Sequence, residues 1–240
     1  MKPIAALIFC LFTLGLHAQV NIAVTDASVV KDSTGRVYPL QEWRKLFNSG
    51  DYGLRPENPN DQKSALILMK LSENAIDAEY SKMPKPKESN FFTTGKKLEL
   101  FTTKDLNGNP VDLVNAKGKI IVLNFWFINC GPCRREIPDL NKLVEHFKDN
   151  KDVLFIGVSL DSPKDIENFL TKMPFNYTMV EGGGMIASNY GVRFYPTHVV
   201  LDPSGKVYFH TSGLAPNTVY WVKRSINELL QKSTPGIAAH

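Results

Sequence analysis

The segment that most restricts the fold is Ile120–Phe127, an apolar run that leads within three residues to Cys130-Gly131-Pro132-Cys133. A continuous apolar run of this length is the pattern of a central strand buried on both faces. Pro132 and Pro138 bracket the start of a helix in which Leu140, Leu143, Val144 and Phe147 fall on one side. The sequence therefore puts Cys130 at a helix N-terminus and Cys133 one turn further in. Unpaired N–H groups and the positive end of the helix dipole stabilise a thiolate on Cys130. Cys133, shielded by the turn, can resolve a mixed disulfide formed by Cys130. Gly131 permits the tight start, and Pro132 fixes the first helical φ without sacrificing a needed donor.

The pattern around this unit is regular. Val153–Val158 reads as a second buried strand, followed by an acidic, Pro-started helix at Ser162–Leu170. A short helix at Met185–Tyr190, a strand at Thr197–Leu201, a turn at Asp202-Pro203-Ser204-Gly205, a strand at Val207–Thr211 and a last helix at Thr218–Leu230 complete it. Ahead of the apolar run, Leu98–Phe101 and Val111–Leu113 flank Asn107-Gly108-Asn109, which predicts an antiparallel hairpin. The order is hairpin, βαβα, then ββα, an α/β arrangement with a mixed central sheet flanked by helices.

Residues 19–95 have a different texture. Leu40–Phe47 is amphipathic, Arg55-Pro56-Glu57-Asn58-Pro59-Asn60 is a break, and Ala65, Leu68, Met69, Leu71, Ala75, Ile76 and Tyr80 recur at helical spacing up to Met83-Pro84-Lys85-Pro86-Lys87. We read this region as a small accessory element without chemistry of its own.

Compartment follows from the N-terminus and the cysteines. Lys2, the apolar run Ile4–Leu16 and Leu16-His17-Ala18 have the layout of a secretory signal, and the run falls short of the about 20 residues a membrane span needs. Residues 1–18 are expected to be cleaved after Ala18. Cys10 would leave with them, so the exported chain keeps only Cys130 and Cys133, in a disulfide-permissive setting. Such a pair is either a structural bridge or a redox centre. A zinc site would need a further ligand at the right distance from His146, and a haem attachment site would need His where Arg134 stands. A structural bridge across two residues closes too small a loop to add much by chain entropy. Lys and Arg total 28 against 24 Asp and Glu, a surplus of 4 that is too scattered to read as a nucleic-acid footprint.

The segment Asn124-Phe125-Trp126-Phe127-Ile128-Asn129-Cys130-Gly131-Pro132-Cys133-Arg134-Arg135-Glu136-Ile137-Pro138 resembles the active-site segment of the thioredoxin superfamily, in particular its exported TlpA/ResA-like thiol-disulfide oxidoreductases. Glu136 and Pro138 point to that branch. The resemblance covers residues 96–232, with Gly118-Lys119, Asp161, Tyr195-Pro196-Thr197 and Asp202-Pro203-Ser204-Gly205 also matching, and leaves 233–240 as a tail. It implies a thioredoxin-like fold and a redox-active Cys130–Cys133 disulfide. It also implies a cis-proline loop, in which Pro196 faces the dithiol and the Tyr195 backbone holds an extended substrate, and a Trp126 beside the site. Where cytosolic thioredoxin has a buried Asp, this chain has Asn124, which cannot take a proton; Glu136 is the implied substitute. A solvated first-turn acid is the competing reading of Glu136. Asn129 replaces the aromatic residue often found before the first Cys. Of the histidines, only His198 could approach the dithiol, and a structural role is expected for it.

The function these features imply is that of a monomeric, exported protein-disulfide reductase of the periplasm or cell envelope. It would need no metal or cofactor, act on client proteins, possess no nucleic-acid partner and draw electrons from a membrane-embedded donor. Cytochrome c maturation is one process such a reductant serves. Two alternatives come from other classes: a thiol peroxidase of the redoxin type, and an envelope binding module with a vestigial disulfide.

Overall fold

A computed structural model describes residues 24–61 and 63–233. The expected signal, its cleavage after Ala18, Cys10 and the tail beyond Ser233 lie outside the described residues. The chain divides into two compact units between Lys82 and Met83.

The first unit is a three-stranded sheet with two helices. Strands β1 (Val30–Lys31), β2 (Tyr52–Pro56) and β3 (Leu66–Lys70) are ordered β1-β3-β2, with β1 parallel and β2 antiparallel to β3. Helices α1 (Leu40–Asn48) and α2 (Glu73–Lys82) complete the unit. Its core is Val30, Trp43, Leu54, Leu66 and Leu68. One expectation is corrected here: the stretch from Ala65 to Tyr80 is not a single helix. Leu66, Ile67 and Leu68 form a buried strand paired to β2, and the helix begins only after Ser72, whose Oγ accepts the Ala75 N–H. A short apolar run satisfies helical spacing and strand spacing alike, and here the pairing partner decides.

The second unit opens with a segment bound to its own sheet. Asn217 Nδ2 donates to the Pro84 carbonyl, Thr211 Oγ1 to the Lys87 carbonyl, and Phe92 enters the core. Strands β4 (Thr102–Lys104) and β5 (Pro110–Asp112) form an antiparallel hairpin. Its turn is held by Asp105, whose Oδ1 accepts from the Asn107 and Asn109 N–H groups, and Gly108 supplies a φ of 81° that other residues rarely adopt. Leu98–Phe101 lies before this pairing and is not strand.

The main sheet contains β6 (Ile120–Trp126), β7 (Val153–Ser159), β8 (Thr178–Val180), β9 (Thr197–Leu201) and β10 (Val207–Ser212), in the order β10-β9-β6-β7-β8. β6, β7 and β8 run parallel, while β9 and β10 run antiparallel to their neighbours. Every residue of β6 is buried, Asn124 included, as its otherwise apolar sequence demands. Alternation sends Ile120, Val122 and Trp126 to one face and Ile121, Leu123 and Phe125 to the other. Helices α3 (Gly131–His146), α4 (Pro163–Leu170) and α6 (Thr218–Ser233) bury Ile137, Ile166 and Ile226 on the first face. Helix α5 (Gly183–Asn189) buries Ile186 and Ala187 on the second. The edge strand β8, three residues long, is absent from the sequence reading.

His210 on β10 is buried, and its Nδ1 accepts the Ser89 N–H at 3.1 Å. Burial pushes the imidazole below its ordinary range, opposed by Glu88 and helped by Lys85. An unfolded chain takes up a proton here near pH 6.5, and the folded chain only at lower pH. The stability His210 contributes is therefore complete above about pH 6.5 and falls as pH drops below it. The urea midpoint should decline between pH 7 and 5.5, and His210→Gln should flatten that decline. Equal pH dependence in the two proteins would contradict it.

Candidate active site

The chain leaves the sheet at Trp126 and enters α3 through Phe127-Ile128-Asn129. Cys130 is the N-cap of α3, with φ −77° and ψ 100°, and its Sγ accepts the Cys133 N–H at 3.1 Å. The two cysteines are joined by a disulfide, with Cα atoms 5.3 Å apart. Both are buried, at 5% and 3% exposure. Sulfur thus sits where the first N–H groups of a 16-residue helix point, the arrangement that favours negative charge on it once the bond is reduced.

Two neighbouring loops meet this end of the sheet, one after β7 and one before β9. Asp161, just after β7, accepts the Ile128 N–H at 2.7 Å and the Ser159 hydroxyl at 2.8 Å, so one carboxylate pins the segment leading to Cys130. Leu160 N–H donates to the Trp126 carbonyl at 3.2 Å. The Tyr195–Pro196 peptide bond is cis. Because Phe125 pairs with Thr197 in antiparallel register, Pro196 comes level with Trp126, the last residue before the chain turns toward the dithiol. The Tyr195 ring meets Phe127 edge to face at 5.4 Å, and Phe194 beside it is 66% exposed.

Trp126 is fully buried, with its ring against Phe169 and Phe175 at 5.4 Å each. Its side chain has no exposed surface to offer a client.

Glu136 is not a solvated acid: it is 5% exposed. Its Oε2 lies 2.9 Å from His198 Nε2. His198, entirely buried, faces Asn124 across the β6–β9 pairing, with Asn124 Nδ2 3.1 Å from Nδ1 and 3.3 Å from Nε2. Asn124, His198 and Glu136 therefore form one polar group inside an apolar layer. Tyr177, just before β8, shares this interior; burial, and secondarily the charge of Glu136, push its hydroxyl above the usual phenol range. His198 was the residue most undervalued by the sequence. The sequence signal is a polar ring directly before the apolar run Val199-Val200-Leu201 of the same strand.

Comparisons with known proteins identify the relatives of this chain. Residues 94–210 match the AhpC/TSA family. The chain is 32% identical over 153 residues to the thiol-disulfide oxidoreductase ResA of Bacillus thuringiensis subsp. konkukian, spanning 60% of this chain and 84% of that protein. The ResA of Bacillus cereus is 33% identical over 143 residues, spanning 59% and 79%. Among solved structures, a thiol:disulfide interchange protein DsbE from Chlorobium tepidum superposes with a TM-score of 0.53 at 29% identity, covering 58% of this chain and 99% of its own. A thiol:disulfide interchange protein from Bacteroides sp. superposes with a TM-score of 0.50 at 26% identity, covering 62% and 98%.

Proposed function

Because this chain belongs to the ResA-like thiol-disulfide oxidoreductases of the thioredoxin superfamily, we propose that it reduces disulfides in exported client proteins through Cys130 and Cys133. The Cys130 thiolate attacks a client disulfide, forming a mixed disulfide and releasing one client thiolate. Cys133 gives its proton to Glu136 and, as a thiolate, attacks Cys130 Sγ. The second client thiolate then leaves, and the Cys130–Cys133 bond forms. Two electrons have passed from this protein to the client. The disulfide-bonded pair at the head of α3, above a buried carboxyl group, is the observation that carries this reading.

The cis Tyr195–Pro196 bond and the exposed Phe194 ring support a client-binding role for that loop, where an extended segment would lie along the Tyr195 backbone. The Gly131-Pro132 dipeptide, shared with thioredoxin at about −270 mV rather than with oxidants near −120 mV, supports reduction of the client as the direction of transfer. A reductant outside the cytoplasm needs electrons from a membrane-embedded donor. Apocytochrome c disulfides are among its proposed clients. Among the described residues no helix is long and apolar enough to cross a membrane.

The AhpC/TSA match keeps peroxide reduction as a second reading. Against it, Ile128 and Asn129 precede Cys130 where a peroxidase would carry a Thr-containing approach. Insulin reduction and hydrogen peroxide consumption, measured on the same reduced protein, separate the two. We expect insulin turnover with dithiothreitol, and peroxide consumption no faster than that of a free thiol. The reverse pattern would make the protein a peroxidase.

A further inference from the structure

Glu136 carries two oxygens with different surroundings. Oε2 is paired with His198, whereas Oε1 is buried with no hydrogen-bond partner. A buried carboxyl oxygen without a donor is costly unless something uses it. Glu136 follows Cys133 by one helical turn, so both side chains project from the same face of α3. In this oxidised structure Cys133 has no S–H to offer.

The roles in the His198 network can be assigned. A carboxylate at Oε2 only accepts, so the ring proton lies on Nε2 and donates to it at 2.9 Å. Nδ1 is then the acceptor, and Asn124 Nδ2 donates to it at 3.1 Å. Asn124 sets the tautomer, the tautomer holds Glu136 by one oxygen, and the other oxygen is left over. The other buried titratable groups of this interior are Cys130 and Cys133 on α3 and Tyr177 ahead of β8, with Tyr195 and Tyr208 partly buried against it.

We propose that His198 is a positioning residue for the resolving step, fixing Glu136 through Oε2 so that Oε1 receives the Cys133 proton. The inference rests on the function proposed above. During resolution the proton moves from Cys133 Sγ to Glu136 Oε1, Cys133 bonds to Cys130 Sγ, and the client thiolate leaves. His198 neither gains nor loses a proton.

Ellman's reagent, added in excess to the reduced full chain carrying Cys10→Ser, so that Cys130 and Cys133 are its only thiols, separates the steps. A first equivalent of thionitrobenzoate reports attack by Cys130, and a second, independent of reagent concentration, reports resolution by Cys133. His198→Leu should leave the first phase unchanged and slow the second about tenfold at pH 7, since a misplaced proton acceptor loses much of the 10²–10⁴-fold that general-base catalysis supplies. The second phase should also become steeper between pH 6 and 8, because hydroxide must then remove the proton. His198→Gln, whose amide can donate the same bond, should recover to within about threefold of the parent rate. Adding Glu136→Gln to His198→Leu should slow resolution no more than Glu136→Gln alone.

A folded His198→Leu protein with a normal second phase overturns the inference, as does a Gln variant as slow as the Leu variant. If His198→Leu does not fold, ¹⁵N NMR of the unaltered chain decides. A proton on Nε2 with Nδ1 bare is required, and the opposite tautomer refutes it. A normal first phase with a second phase indifferent to position 198 sinks only this inference. Two-equivalent release from Cys130→Ser in that Cys10→Ser background sinks the proposed function itself.

Discussion

Replacing Cys130 by Ser is expected to slow client-disulfide reduction by about a thousandfold or more while leaving the fold intact. Chemistry should fail because a hydroxyl at this position stays protonated and cannot carry the disulfide-linked intermediate. Structure should survive for local reasons. Cys130 is the N-cap of α3 and its sulfur already accepts the Cys133 N–H; serine is among the preferred caps and its Oγ can accept the same bond. The lost disulfide closes a loop of only three residues' separation, too short to constrain the unfolded chain much. Cys133→Ser should behave differently, because attack remains possible and resolution does not, so a mixed disulfide with client should accumulate. Insulin reduction with circular dichroism in parallel checks both variants. Turnover by Cys130→Ser within a few-fold of the parent would place the chemistry elsewhere.

The second large effect lies away from the cysteines. Gly183→Ala should destabilise the protein by about 3 kcal/mol, the upper part of the range for forced overpacking. A Cβ at Gly183 would lie 2.1 Å from the Ser159 carbonyl oxygen and 2.8 Å from its nitrogen. These are backbone atoms of β7 and cannot rotate aside. Either α5 or the end of β7 must move, and the end of β7 carries the support of the active-site loop. Ser159 donates to Asp161, which in turn accepts from Ile128 two residues before Cys130. We therefore expect slower disulfide exchange as well as a melting temperature lowered by about 10 °C. Gly184→Ala is the control, since its nearest backbone contact would be 3.9 Å; it should change stability by less than about 0.5 kcal/mol. Comparable losses in both variants would show that helix α5 tolerates no added side chain, and the argument from Ser159 would fail.

The parts of the molecule legible in the sequence are those where one segment carries the whole signal. Ile120–Phe127 is apolar enough to be read as a buried strand by itself, and Cys130-Gly131-Pro132-Cys133 marks a helix start by its own residues. The strand Leu66–Lys70 is different, because only its pairing with Tyr52–Pro56 separates it from a helix turn. Thr178–Val180 is three residues long and draws its conformation from the neighbouring β7, so no period could reveal it. The candidate site divides along the same line. The cysteines, Glu136 and the proline loop are local motifs. The Asn124–His198 contact joins residues 74 apart, and its existence depends on a strand register that Asn124 and His198 do not encode separately. What each residue did show was a polar group in an apolar strand, which asks for a partner without naming it.

Equilibrium titration of Cys130–Cys133 in the full chain against dithiothreitol or glutathione buffers tests the central claim most directly. A two-electron transition with a midpoint below about −220 mV is the predicted result, as befits a donor of electrons to client disulfides. A midpoint above about −150 mV would make the protein an oxidant of its clients and contradict the direction assigned here.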